Sequence, residues 1–244
     1  GFRAKMFAPT EFLYDNLFIF CNVIEASKNY KIKKLVFIGS ACIYSPEADQ
    51  PFKENSLFSG KLEPVNEGFG LAKIIGLKLC EYCNKQYNTD FITLVPCNLY
   101  GPNDNFESHP HIIPSMILKL HNAKENNLPS VEIGYSGKPR REFLFVDDLT
   151  DAIVHFSGYS AKQLKSFVNI GCGGDISIKD LVLLIKEIVG YSGEIKFDES
   201  KQEDMPKRLL DIGKATKLGW TPKVSLKDGI KTTYDWFLKN KHQK

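Results

Sequence analysis

The sequence predicts an α/β protein built on a doubly wound parallel sheet. Two short runs, "KLVFIGS" (34–40) and "FITLVP" (91–96), are continuously apolar and end in Gly-Ser or in proline, as strands buried on both faces do. The stretches at 10–27 and 69–87 carry apolar residues with helical recurrence instead. A loop holding Pro46, Pro51 and Pro64 separates the first strand from the second helix, and helix, strand, loop, helix, strand is the rhythm of parallel βα units.

Each element has its own justification. Thr10 and Glu11 open a helix in which Phe12, Leu13, Leu17, Phe20 and Val23 recur with helical spacing. Ile74, Leu77 and Leu79 do the same between Phe69 and about Tyr87. "HIIPSMILKLHNA" (111–123) predicts a helix after Pro114, and "REFLFVDDLTDAIVHF" predicts a strand, a cap at Asp147 and Asp148, and a helix. "FVNIG" predicts a strand. "SIKDLVLLIKEIVG" predicts a helix capped by Ser177 and stopped by Gly190, and "SLKDGIKTTYDWFLKN" a final helix begun by Ser225. No repeat, low-complexity segment or flexible linker interrupts the series.

At 244 residues and 43% hydrophobic content, the chain suffices for one large domain or two small ones. Its +3 net charge comes from 32 basic and 29 acidic residues spread along its length, which argues against a nucleic-acid partner or a polybasic membrane patch. No run approaches the ~18 apolar residues of a membrane span, and the start lacks a secretory signal pattern. The expectation is a cytoplasmic protein with no membrane partner. Six cysteines without framework spacing predict free thiols. Cys80 and Cys83 form a C-x-x-C inside a helical pattern with no second pair, which predicts packing and not a metal site.

In parallel sheets of this kind, dinucleotide phosphates sit on a glycine-rich turn after the first strand. No G-x-G-x-x-G occurs here, and "NIGCGG" (169–174) has the wrong spacing and reads as an ordinary strand exit. The chain opens mid-pattern at Gly1 without Met, so an amino-terminal portion carrying that turn is expected to precede it.

Within "NEGFGLAKIIG", Lys73 sits among Leu71, Ala72, Ile74 and Ile75, with Phe69 one turn earlier. Together with "KLVFIGSACIY", "VPCNLYGPNDNF", "HIIPSMI", "RREFLFVDDL" and "RLLDIGKATKLGW", in that order, the chain resembles the GDP-L-fucose synthase family over almost its whole length. These are 3,5-epimerase/4-reductases among the extended short-chain dehydrogenases/reductases. The resemblance implies a Rossmann-type sheet lacking its amino-terminal β-α units, with a smaller α+β substrate domain. Residues 1–100 and about 146–175 would form the dinucleotide-binding part, and 101–145 with 176–244 the sugar-nucleotide part.

It also implies roles. Ser40 and Lys73 match the serine and lysine that surround the carbonyl being reduced, and Phe69 stands where the proton-donating tyrosine is expected. Cys42 and His111 match the thiol and imidazole of epimerisation, whereas no motif reaches His109. NADP would be held by Lys73, Ser40, Pro96, Asn98 and Leu99. A GDP-linked 4-keto-6-deoxy sugar would be held by Asn98, Lys119, Arg141 and Lys207, with Lys119 replacing an arginine and losing its fork. The two long helices from Thr10 and Phe69 would pair in a homodimer.

Phe69 leaves three accounts open: a knocked-out reductase, a branch in which Ser40 or a water chain supplies the proton, or a catalytically silent sugar-nucleotide-binding subunit. A 4-ketoreductase without epimerase chemistry is a further alternative. A sugar-nucleotide 4,6-dehydratase would place an acidic pair where Ala41 and Cys42 stand.

Overall fold

The computed structural model describes residues 8–107, 110–201 and 205–241. His109 and Gly1 lie outside the described residues. The chain divides into two compact units, one of residues 1–97, 149–173 and 209–222, the other of 98–148, 174–208 and 223–244.

In the first unit, α1 (Pro9–Asn29) leads to β1 (Leu35–Ile38), α2 (Glu67–Tyr87) and β2 (Phe91–Pro96). All six residues of β2 are buried, as the apolar run predicts. β1 pairs in parallel with β2 from Leu35↔Phe91 to Ile38↔Leu94. On its other side, β2 pairs in parallel with β7 (Val168–Ile170). Parallel neighbours need a crossover, and α2 supplies it between β1 and β2. Two features fix α2 against the sheet. Gly76 has no side chain where a Cβ would lie 2.3 Å from the Phe37 ring, so helix and strand approach closely. At the far end Asn84 donates to the Phe91 carbonyl at 2.7 Å and accepts from the Phe91 N–H at 2.8 Å, after which Asn88 ends the helix in the left-handed region.

Residues 209–222, assigned from sequence to the second domain, hydrogen-bond into this first unit. The Phe52 N–H donates to the Leu209 carbonyl and the Asp211 N–H to the Phe52 carbonyl. Trp220 Nε1 donates to Asp151 on α4 (Val146–Ser157) at 3.0 Å. Phe52 is wholly buried and anchors the segment.

The second unit is an α+β assembly. Its helices α3 (Ile112–Glu125), α6 (Ile178–Val189) and α8 (Leu226–Asn240) share a core that includes Ile117, Leu120, Leu181, Ile185, Ile230 and Phe237. Ser177 and Ser225 accept from the N–H three residues on and cap α6 and α8, and Gly190 ends α6 at φ 73°. The strands are short: β3 (Asn98–Tyr100) pairs with β6 (Phe143–Phe145), and β4 (Ser130–Ile133) with β9 (Glu194–Phe197). A third sheet joins β10 (Lys207–Arg208), β5 (Arg140–Arg141) and β8 (Ile176–Ser177).

Two local expectations are corrected. The third helix begins at Ile112, so Pro114 lies inside its first turn, where a missing N–H costs nothing. Asp148 is buried in the first turn of α4, and its carboxylate accepts the backbone N–H groups of Lys223 and Val224 at 2.9 and 3.1 Å. It ties a distant loop to the helix instead of capping the helix's own N–H groups.

Candidate active site

Strand β1 ends at Ile38, and Gly39 fits there because a Cβ would lie 2.8 Å from Val95 on the neighbouring strand. Ser40 then caps a 3₁₀ turn, Ala41–Ile43, its Oγ accepting from the Cys42 N–H at 3.3 Å. That bond uses an acceptor lone pair and leaves the hydroxyl proton to be given elsewhere. Helix α2 runs beside this turn. Gly70 permits the approach, since a Cβ there would meet the Cys42 carbonyl oxygen at 2.7 Å. The packing therefore gathers Ser40, Cys42, Phe69 and Lys73 in the first unit.

The Lys73 ammonium donates to the Ile38 carbonyl oxygen at 2.7 Å. It lies over three rings, with centroids at 4.3 Å (Phe20), 5.2 Å (Phe37) and 5.4 Å (Phe69). Burial lowers its pKa to about 8, with nearby Cys42 pulling it back less strongly. Phe69 is half-buried, its ring edge-to-face with Phe12 at 5.7 Å. Tyr44, two residues beyond Cys42, is buried, stacks on Phe52 and donates its hydroxyl to Asn169 Oδ1 at 2.7 Å. Burial, with Glu54 nearby, pushes that phenol above its ordinary range. Pro96 is buried at the end of β2, opposite Ile170.

The second unit holds the remaining sequence-predicted residues. Asn98 donates to the Glu142 carbonyl at 2.8 Å, beside Arg141, and Leu99 is half-buried opposite Leu144 in the same strand pair. Arg141 and Lys207 stand on adjacent strands, with Lys207 opposite Arg140 and Arg141 opposite Arg208. Sequence reasoning missed Asp175, the anionic partner of Lys207 and of Arg140. Burial raises its carboxyl, but hydrogen bonds from Arg140 and Lys207 outweigh it and hold the group below the ordinary value. Lys207 is thus an ion-paired cation, 3.1 Å from Asp175. Lys119 is exposed and donates to the Glu132 carbonyl on β4, outside the sheet that carries Arg141 and Lys207.

His111 is exposed at the residue preceding α3, its carbonyl accepting the Ser115 N–H at 3.0 Å. Burial pushes the half-buried Asp104 carboxyl up, against the Asn105 N–H and the charge of His111, so these two groups feel each other.

Residues 1–171 match the family described as NAD dependent epimerase/dehydratase. The chain belongs to that family. Among relatives within it, GDP-L-fucose synthase 1 of Arabidopsis thaliana is 45% identical, over 98% of this chain and 74% of the relative. A solved GDP-6-OMe-4-keto-L-xylo-heptose reductase from Campylobacter jejuni superposes with a TM-score of 0.91 at 39% identity, over 96% of this chain and 78% of its own. A GDP-mannoheptose C4 reductase from the same organism, solved with NADP bound, gives 0.87 at 42%, over 95% and 76%. A parallel sheet with helical crossovers is what membership of the NAD dependent epimerase/dehydratase family entails. The signal that could have revealed Asp175 was weak, because the acid stands far in sequence from both cations it serves.

Proposed function

We propose that this chain is an NADPH-dependent 3,5-epimerase/4-reductase of a GDP-linked 4-keto-6-deoxy sugar, in which epimerisation is retained and reduction is slowed. The observation that carries the reading is the packing of Ser40, Cys42 and Lys73 around a ring without a hydroxyl, in a chain whose relatives named above all act on GDP-linked sugars.

The carbonyl at C4 acidifies the protons at C3 and C5. Cys42 and His111 are assigned to remove such a proton and return one to the opposite face, which requires two groups. The Ser40 hydroxyl, with its proton uncommitted, steadies the carbonyl oxygen as negative charge gathers on it. Asn98 orients the sugar. Arg141, with Lys119 and Lys207, answers the diphosphate; Arg141 offers a fork that matches its oxygens, while Lys207 shares its charge with Asp175.

Lys73 fits a nicotinamide ribose because its ammonium uses one donor on Ile38 and keeps two for ligand hydroxyls. Ser40, Pro96, Asn98 and Leu99 complete the residues assigned to that end of the cofactor. The cofactor, when bound, supplies a hydride to C4. Protonating the resulting oxygen falls to Ser40 or to water reached through it, since Phe69 has no proton to give.

The apolar side chains that α1 and α2 leave exposed, among them Tyr14, Phe18, Ile19, Val23, Leu71 and Ile75, support a homodimer in which a second copy covers them. Six free cysteines support a reducing compartment, the cytoplasm.

The test is incubation with the 4-keto sugar nucleotide in deuterated water. Deuterium should enter C3 and C5 without NADPH, and Cys42→Ser should reduce entry by about 10² or more. Substrate that binds and acquires no deuterium would favour a silent sugar-nucleotide-binding subunit, the reading that Phe69 itself supports. NADPH consumption without any exchange would favour a bare 4-ketoreductase.

A further inference from the structure

Lys73 is an unusual cation for its surroundings. Its ammonium is half-buried, and among the described residues no carboxylate lies within ion-pair distance of it. A lysine taken out of water without an anion is normally costly. Three rings stand where an anion would: Phe20 from α1, Phe37 from β1 and Phe69 from α2. Phe20 is the nearest, at 4.3 Å, and its own orientation is fixed by an edge-to-face contact with Phe37 at 5.2 Å and 82°. The negative face of an aromatic ring attracts a cation, most strongly where water is scarce.

We propose that Phe20 is a positioning residue for Lys73, closing with Phe37 and Phe69 an aromatic box that holds the ammonium against the Ile38 carbonyl oxygen. The box compensates for burial without a fixed anion, so the remaining N–H donors stay available to a ligand. Phe69 acquires a second use in this arrangement: a ring without a hydroxyl still forms a wall. The consequence for catalysis rests on the function proposed above; the box itself does not. Among the described residues, the titratable group acting electrically on Lys73 is Cys42, on the turn after β1.

The box is tested by following the Lys73 side-chain resonances through a pH titration of the protein, assigned by their loss in Lys73→Met. A ring-fluorinated phenylalanine at position 20 keeps shape and burial but drains the ring face of negative charge. It should lower the Lys73 titration midpoint by about half a pH unit. Phe20→Leu should lower it likewise, and Phe20→Trp should restore it. An unchanged midpoint with the fluorinated ring overturns the proposal, and so does a rise. Deuterium exchange into the 4-keto sugar nucleotide, measured on the same variants, separates the two ideas. A shifted midpoint in a protein without exchange activity leaves the box standing and removes the enzyme; exchange with an unmoved midpoint does the reverse.

Discussion

On the proposed function, one missing oxygen atom divides the chemistry of this chain. Phe69 keeps the packing of a tyrosine ring against Phe12 and Lys73, so its substitution is silent in the fold and audible only in proton transfer. Neither of its obvious substitutes is equivalent. Tyr44 is held by Asn169, and Lys73 is tied to Ile38. Ser40 keeps an uncommitted proton, but an alcohol gives it up less readily than a phenol beside an ammonium would. Phe69→Tyr should therefore raise NADPH oxidation by about 10² to 10⁴ while leaving deuterium exchange at C3 and C5 within a few-fold. Fast oxidation by the unaltered protein would mean that another donor already serves, and Ser40→Ala would then have to abolish it. The substitution was visible in the sequence at once, because a lysine with a ring one turn before it forms a local pattern. The aromatic box was not visible, since Phe20 and Phe37 reach Lys73 only after α1, β1 and α2 have packed.

Helix α3 connects two places of different character. The residue before its first turn is His111, and its other end carries His121, buried against α8. The Lys241 ammonium donates to His121 Nε2 at 2.9 Å, so the ring is neutral with its proton on Nδ1, which faces the Tyr234 hydroxyl at 3.0 Å. Burial lowers the His121 pKa and Lys241 lowers it further, with Glu125 opposing and Lys124 assisting. The sign follows from proton counting: below the ordinary value of 6.5, the unfolded chain binds a proton at His121 that the folded chain resists. Stability from this group is full above 6.5 and falls as pH drops beneath it. Thermal melts between neutral and mildly acidic pH should show a steeper loss for the natural sequence than for His121→Asn. Equal slopes would refute the assignment. Elements with local grammar were legible beforehand: the Ser177 and Ser225 caps, the Gly190 stop and the wholly buried β2 all stand where pattern puts them. Strands β5, β8 and β10 were not, because two residues cannot express an alternation and are strands only through their partners.

At the scale of the molecule, what eluded sequence reasoning is long-range. The return of residues 209–222 to the first unit depends on Phe52 and Asn169, whose side chain donates to the Phe52 carbonyl at 2.8 Å, and nothing near residue 209 announces either. The exposed apolar face is long-range in another sense, since the partner proposed for it is outside the chain. On α1, Phe18, Ile19 and Val23 are each about half exposed, at 47%, 58% and 51%, although they lie in a helix whose other face packs against α2. Scattered surface apolar residues need no explanation, but a helical stripe of them beside Leu71 and Ile75 on α2 is the pattern of a covered surface. A two-fold arrangement would set this stripe against its own copy, so one inserted charge would appear twice, facing itself across the axis or nearly so. Ile19→Glu should therefore shift the protein from dimer to monomer in light scattering at micromolar concentration. Its melt should stay close to that of the isolated parent subunit, because the side chain contributes little to the subunit's own core. A parent protein that is monomeric at the same concentration would end the dimer proposal and leave the stripe without a partner, while the assignments of Ser40, Cys42 and Lys73 would stand untouched, since they draw on one subunit alone.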